Sequence, residues 1–240
     1  MKHISFEVDA DGFHGAYWPC RGGSACAVIA MLGDDAADYM ARSAVKWLMK
    51  LGVNVMTMSP GKKDGCKEWP IAGESLFSYH GKPLPYMPFC YQHPQYWQVI
   101  AEETRQSGDM LASRKLFDDS EAAHPITEDA YIKVENIRGR LLLIGAADDS
   151  LWDTAKYIRR MERRLAEKTH DCTVETAVYA HGTHFVFPEG MLKTILPIGF
   201  GLFMKLAFRA AKQFPEACRQ TRMDIDRRIT AAIQAWRTAQ

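Results

Sequence analysis

At 240 residues the chain is long enough to bury one sizeable core, and one large α/β domain is expected rather than two small ones. Hydrophobic residues make up 47% and charged residues 25%, ordinary values for a water-soluble globular chain. Thirty Lys and Arg against 29 Asp and Glu leave no global charge that would argue for nucleic acid or an anionic membrane as a partner, so the substrate has to be read from a site.

The opening residues, MKHISFEV, lack the apolar core of a secretory signal. Residues 3–8 alternate apolar and polar side chains, a turn follows at 9–12, and residues 15–18 are a candidate hairpin partner. The six cysteines (Cys20, Cys26, Cys66, Cys90, Cys172 and Cys218) are scattered, without CxxC pairs. Free thiols in a reducing cytoplasm are the expectation.

Residues 26–32, CAVIAML, form a continuous apolar run that ends in Gly33-Asp34-Asp35. A run of that length predicts a strand buried on both faces, as in a parallel sheet. Residues 37–51 place Tyr39, Met40, Val45, Leu48, Met49 and Leu51 along one helical face, and Gly52 stands where such a helix stops. Residues 53–58, VNVMTM, predict the next strand, parallel to the first through a right-handed crossover.

From residue 61 to 138 no long apolar run suits a central strand. Aromatic and proline-rich pieces appear instead, GKPLPYMPFCY among them. Residues 66–130 are therefore expected to form a cap or lid over the sheet, or else a long ordered loop that merely packs.

The strand–helix rhythm returns late. A run at 141–144 leads into a loop at 145–153, a charged helix at about 154–168, a strand at 174–179 and a loop holding His181 and His184. An apolar stretch at 192–208, interrupted by Lys193, Pro197 and Lys205, falls short of the ~20 residues of a membrane span and suits a lid or an amphipathic helix. Residues 224–236 close the chain as an amphipathic helix. The expected architecture is an α/β-hydrolase-like, mostly parallel, doubly wound sheet.

The chemistry concentrates in the last two strand loops. A carboxylate followed by a histidine, each after a late strand, is the arrangement in which an acid orients an imidazole that takes and returns a proton. Asp148 and Asp149 on the first loop and His181 and His184 on the second are the candidates. The spacing of His181 and His184 also raises a metal pair, but Gly182 argues against the helix that would align them, so no metal is expected. No cofactor motif is present.

At these residues the chain resembles the C-terminal catalytic domain of the bile-acid-CoA:amino-acid N-acyltransferase and acyl-CoA thioester hydrolase family. The resemblance is best over residues 132–188, where IKVENIRGRLLLIGAADDSLWDT and YAHGTHFVFPEG match the family's strand–DD–W and GH–P segments. It extends more loosely over residues 26–60. The resemblance implies an α/β-hydrolase fold, Asp149 as triad acid, His184 as general base, and backbone N–H groups of Gly33, Asp34 and Asp35 as the oxyanion hole. It further implies a small-molecule acyl ester or thioester as substrate, and it leaves room for a homo-oligomer.

The family's nucleophile stands on a sharp strand–turn–helix elbow. No serine or cysteine here has that context: Ser75 has no strand before it, Ser24 and Cys26 precede a strand, and Cys66 lies in a polar turn. The central nucleophile strand is thus missing from the sequence, and a segment is expected to be deleted or omitted near Lys62–Cys66. Two alternatives stay open: a non-catalytic binding protein on the same fold, and a dienelactone-hydrolase-like or peptidase-like esterase.

Overall fold

The computed structural model describes residues 2–31, 39–59, 75, 78–80, 82–92 and 94–239. These residues fall into two compact units. One comprises Met1–Pro83, Phe187–Phe200 and Asp226–Gln240, the other Leu84–Val186 and Gly201–Ile225.

The first unit holds β1 (Ile4–Phe6), α1 (Val8–Asp11), β2 (His14–Trp18), β3 (Ala27–Ala30), α2 (Tyr39–Lys50), β4 (Asn54–Ser59) and the two-residue strands β5 (Ser78–Tyr79) and β6 (Lys82–Pro83). Its four-stranded sheet has the order β1-β2-β4-β3. The expected hairpin is present, with Ile4 opposite Tyr17 and Phe6 opposite Gly15. The strand–helix–strand unit is present too: β3 and β4 run parallel with Val28 opposite Val55. Gly52, at φ +75°, closes α2 in the left-handed region that favours glycine.

Trp18 anchors this core, 1% exposed, with its indole N–H donating to Thr57 Oγ1 at 3.1 Å. That hydroxyl in turn donates to the Ala16 carbonyl, so the indole N–H and the Thr57 hydroxyl are both paired.

Two expectations need correction. Because β2 pairs antiparallel with both β1 and β4, this sheet is mostly antiparallel rather than mostly parallel. The CAVIAML run is also not buried on both faces: among the described residues β3 is an edge strand, and Ile29 is 64% exposed. An apolar run reports a capacity for burial, but burial needs a neighbouring strand to cover it.

The second unit contains α3 (Gln95–Ser107), α4 (Arg114–Ala123), two 3-10 turns (Glu128–Ala130 and Val134–Asn136), β7 (Gly139–Ala146), α5 (Thr154–Glu167) and β8 (Cys172–Tyr179). Of the remaining helices, α6 (Glu189–Ile195) belongs to the first unit. The second unit takes α7 (Phe200–Ala207) from Gly201 onward and α8 (Arg209–Gln213), and the division falls within α9 (Pro215–Thr238) after Ile225. Among the described residues no single helix is long and apolar enough to cross a membrane.

Strands β7 and β8 pair in parallel along eight residues, from Gly139 opposite Cys172 to Ala146 opposite Tyr179. Helix α5 supplies the crossover and buries Ala155, Ile158 and Leu165. Asp153 caps it, accepting from the Lys156 N–H at 2.9 Å. Gly145 permits the close approach, since a Cβ there would lie 2.7 Å from Ile158 Cδ1. Among the described residues the doubly wound sheet expected around this pair is not seen. The middle of the chain contributes helices α3 and α4, so β7 and β8 form a two-stranded sheet among the described residues.

The outer face of α5 carries a charge network that ties it to α4 and to the 3-10 turns. Arg164 binds Glu128 and Glu135, Arg160 binds Glu121, and Lys156 binds Asp118 and Glu121. The Arg164 guanidinium holds the Glu128 and Glu135 carboxyls down at about 2, from an ordinary value of 4.5. A carboxyl depressed on folding stabilises the folded state above its unfolded value and loses that contribution as pH falls through its folded value. Stability in urea is therefore expected to decline from pH 4.5 toward pH 2. Arg164→Met should flatten that slope, and added salt should shrink the difference between the two proteins. An unchanged slope in the variant would remove Arg164 as its origin.

Candidate active site

Because β7 and β8 are parallel, the chain leaves both at the same edge, and open α/β sheets carry their sites at that edge. The Ala147 N–H donates to the Tyr179 carbonyl at 2.8 Å and prolongs the ladder by one bond. Beyond it the first loop carries Asp148 and Asp149, and the second carries His181 and His184.

Asp149 is fully buried. Its Oδ1 accepts from the Leu151 N–H at 3.0 Å, a local turn that orients the carboxylate. Both of its oxygens lie 3.2 Å from His184 Nδ1. An ionised carboxylate only accepts, so Nδ1 is the donor and Nε2 is left with a lone pair facing away from the acid. Trp152 meets the imidazole edge to face, with ring centroids 4.7 Å apart. Phe117 packs against Trp152, and Phe89 against Phe117. Phe185 also meets the imidazole edge to face, with ring centroids 6.2 Å apart, and packs on Phe208.

The helical segment after residue 94 is joined to the acid loop. The Ser113 N–H donates to the Ser150 carbonyl and the Ser113 hydroxyl to the Leu151 carbonyl, at 3.0 and 2.7 Å. Of the aromatic residues early in the expected cap (Tyr79, Tyr86, Phe89, Tyr91, Tyr96 and Trp97), Phe89 reaches the site, through Phe117 and Trp152. Tyr91 instead donates to Asp119, and Tyr96 is buried beside Trp97. Tyr79 belongs to the other compact unit.

Asp148 and His181 form a second acid–histidine pair, with Oδ2 3.2 Å from Nδ1. His181 stacks on Phe214 with ring centroids 3.8 Å apart. The doubled aspartate and the HxxH spacing were visible in the sequence, but neither reveals which acid serves which ring. Between the histidines, a Cβ on Gly182 would stand 2.9 Å from Ala146 Cβ and 3.0 Å from Val186 Cγ1. Gly182→Ala should therefore lower stability by about 1–3 kcal/mol through overpacking. A thermal unfolding midpoint equal to the parent's would show that the neighbours yield without strain.

Other groups expected to take part are not brought to this pair. Gly33, Asp34 and Asp35 lie outside the described residues, as do Cys66 and the proposed deletion point. Among the described residues no serine or cysteine hydrogen-bonds to His184. Cys218 is an unsuitable nucleophile: burial, reinforced by the Asp148 carboxylate, pushes its thiol up to about 11, so it stays protonated at neutral pH. Phe117 was not singled out in the sequence, where an aromatic residue on an amphipathic helix has no mark that distinguishes it from a packing residue, and Trp152 entered only as the tryptophan of the strand–DD–W segment. The described residues contain no group of three or more potential metal ligands.

The structure thus sets an acid–histidine pair on two loops at the carboxyl edge of a pair of parallel strands. Residues 99–189 match the family described as BAAT / acyl-CoA thioester hydrolase C terminal, the family that the sequence resembles. That span runs from within α3 to the start of α6 and includes both loops; residues 26–60 lie outside it. At the family level it indicates an acyl-CoA thioester hydrolase or acyltransferase-like hydrolase. No curated protein and no solved structure matches the chain.

Proposed function

We propose that this chain is an acyl-CoA thioesterase or acyltransferase-like hydrolase in which His184 is the general base and Asp149 orients it. The observation that carries the reading is the buried Asp149 carboxylate at 3.2 Å from His184 Nδ1, inside the span that matches the family. Nε2 takes a proton from the attacking nucleophile as that atom bonds to the acyl carbon, then returns it to the departing thiolate or alkoxide. The family resemblance assigns the role of holding the negative oxygen between those steps to backbone N–H groups of Gly33, Asp34 and Asp35. The substrate is a small acyl ester or thioester, and Trp152, Phe117 and Phe89 provide an apolar wall for the acyl chain. On this reading residues 1–240 act as one hydrolase domain in the cytoplasm, capped by residues 66–130, without cofactor or metal; the protein binds neither nucleic acid nor membrane, and self-association is compatible with it.

The test is a panel of acyl-CoA thioesters of graded chain length, with release of free CoA thiol as the readout, alongside labelling by a fluorophosphonate probe. Thiol release together with a labelled serine supports a covalent route, and mass spectrometry locates the nucleophile. Release without labelling points to direct attack by water activated at His184. Neither release nor labelling by a cooperatively folded protein favours the rival, a binding protein that keeps the fold. The absence of a serine or cysteine partner for His184 among the described residues is what recommends that rival.

A further inference from the structure

The doubled aspartate divides its work between a side chain and a backbone. Asp149 grips the His184 imidazole. Asp148 Oδ1 instead accepts two consecutive backbone N–H bonds, from Gly182 at 2.9 Å and Thr183 at 2.8 Å. Thr183 is buried, 1% exposed, and sits at φ +61°. A β-branched residue in the left-handed region is strained and persists only where its surroundings enforce it. The constraints are visible here. Asp148 holds both N–H groups, Gly182 is wedged against Ala146 and Val186, and the Thr221 hydroxyl donates to the His181 carbonyl at 2.6 Å. An extended Thr183 would send successive side chains to opposite sides; the left-handed turn brings the next residue, His184, back over the acid loop.

We infer that Asp148 is a positioning residue: it clamps the Gly182–Thr183 backbone so that His184 meets Asp149 in the Nδ1–H tautomer. The inference rests on the assignment of His184 as general base, and it deepens that assignment by naming the group that delivers the base. His181 is a secondary partner of Asp148, held by stacking on Phe214, and it is not required for the clamp.

The test compares Asp148→Ala, Asp148→Asn and His181→Ala in the full chain labelled with 15N-histidine, reading the His184 tautomer by long-range 1H–15N correlation and thioester turnover in parallel. Asparagine keeps an oxygen that accepts both backbone N–H groups, so D148N and H181A retain the Nδ1–H tautomer. D148A loses it, and its kcat falls about tenfold to a hundredfold with KM unchanged, the effect of a base slightly misplaced. Adding Thr183→Gly to D148A lowers the strain of the turn and recovers part of the loss. Folded D148A with the parental tautomer, equal losses in D148A and D148N, or a D148A protein that does not fold would each overturn the positioning role. A parent protein that turns over no thioester would defeat the hydrolase reading alone, because the tautomer measurement decides the clamp without it.

Discussion

Replacing His184 with alanine is expected to lower thioester hydrolysis by on the order of 10²–10⁴-fold, the usual contribution of a positioned acid–base residue. The loss should appear in kcat, since the imidazole acts on the proton in flight and contributes little to holding the acyl chain. His184 is only partly buried and the Asp149 carboxylate keeps its bond from the Leu151 N–H, so H184A should still unfold cooperatively. The decisive comparison is initial rates at saturating thioester for parent and variant, with circular dichroism as the fold control. A folded H184A that matches the parent's kcat would remove His184 from the chemistry and the hydrolase assignment with it.

Asp149→Asn is the more discriminating change, because shape is kept while hydrogen-bond character is reversed. The carboxylate accepts from His184 Nδ1 and from Leu151 N–H. In the asparagine variant the amide oxygen continues to serve Leu151, and the amide N–H₂ is turned toward the ring. Two donors cannot face each other, so Nδ1 becomes the acceptor and the ring proton moves to Nε2. A protonated Nε2 cannot take a proton from a nucleophile. The expected loss is about 10⁴-fold in kcat, as where an equivalent tautomer reversal has been made in a triad. Tautomer and rate should change together: D149N with Nε2–H by NMR but full activity would show that the pair does not perform catalysis.

The site was legible to an unequal degree. The two loops could be placed in advance because each follows an apolar run at the expected place in an alternating strand–helix series, and the family resemblance singled out Asp149 and His184 within them. The tertiary structure brings them within hydrogen-bond distance from positions 35 residues apart. The clamp made by Asp148 was not legible, since its partners are the backbone N–H groups of Gly182 and Thr183, and main-chain groups leave no trace in residue identity. Nor was the left-handed Thr183, a residue type that periodicity and propensity would never place there. The apolar run ending near Met31 misled for a related reason: it announces a strand that wants covering on both faces, yet Ile29 is 64% exposed in an edge strand among the described residues.

By itself the amino-acid sequence determined the local elements and their order: the N-terminal hairpin, the parallel β3–α2–β4 unit, the β7–α5–β8 unit and the two loops that carry acid and histidine. Those follow from short-range causes, such as the period of the apolar side chains, the stop at Gly52 and the cap at Asp153. Only the tertiary structure decided the direction of pairing in the first sheet, which strand lies at an edge, and that Asp148 holds a stretch of backbone. Each of these depends on partners distant in the chain, and hydrogen-bond direction and burial belong to the meeting of two segments rather than to either one.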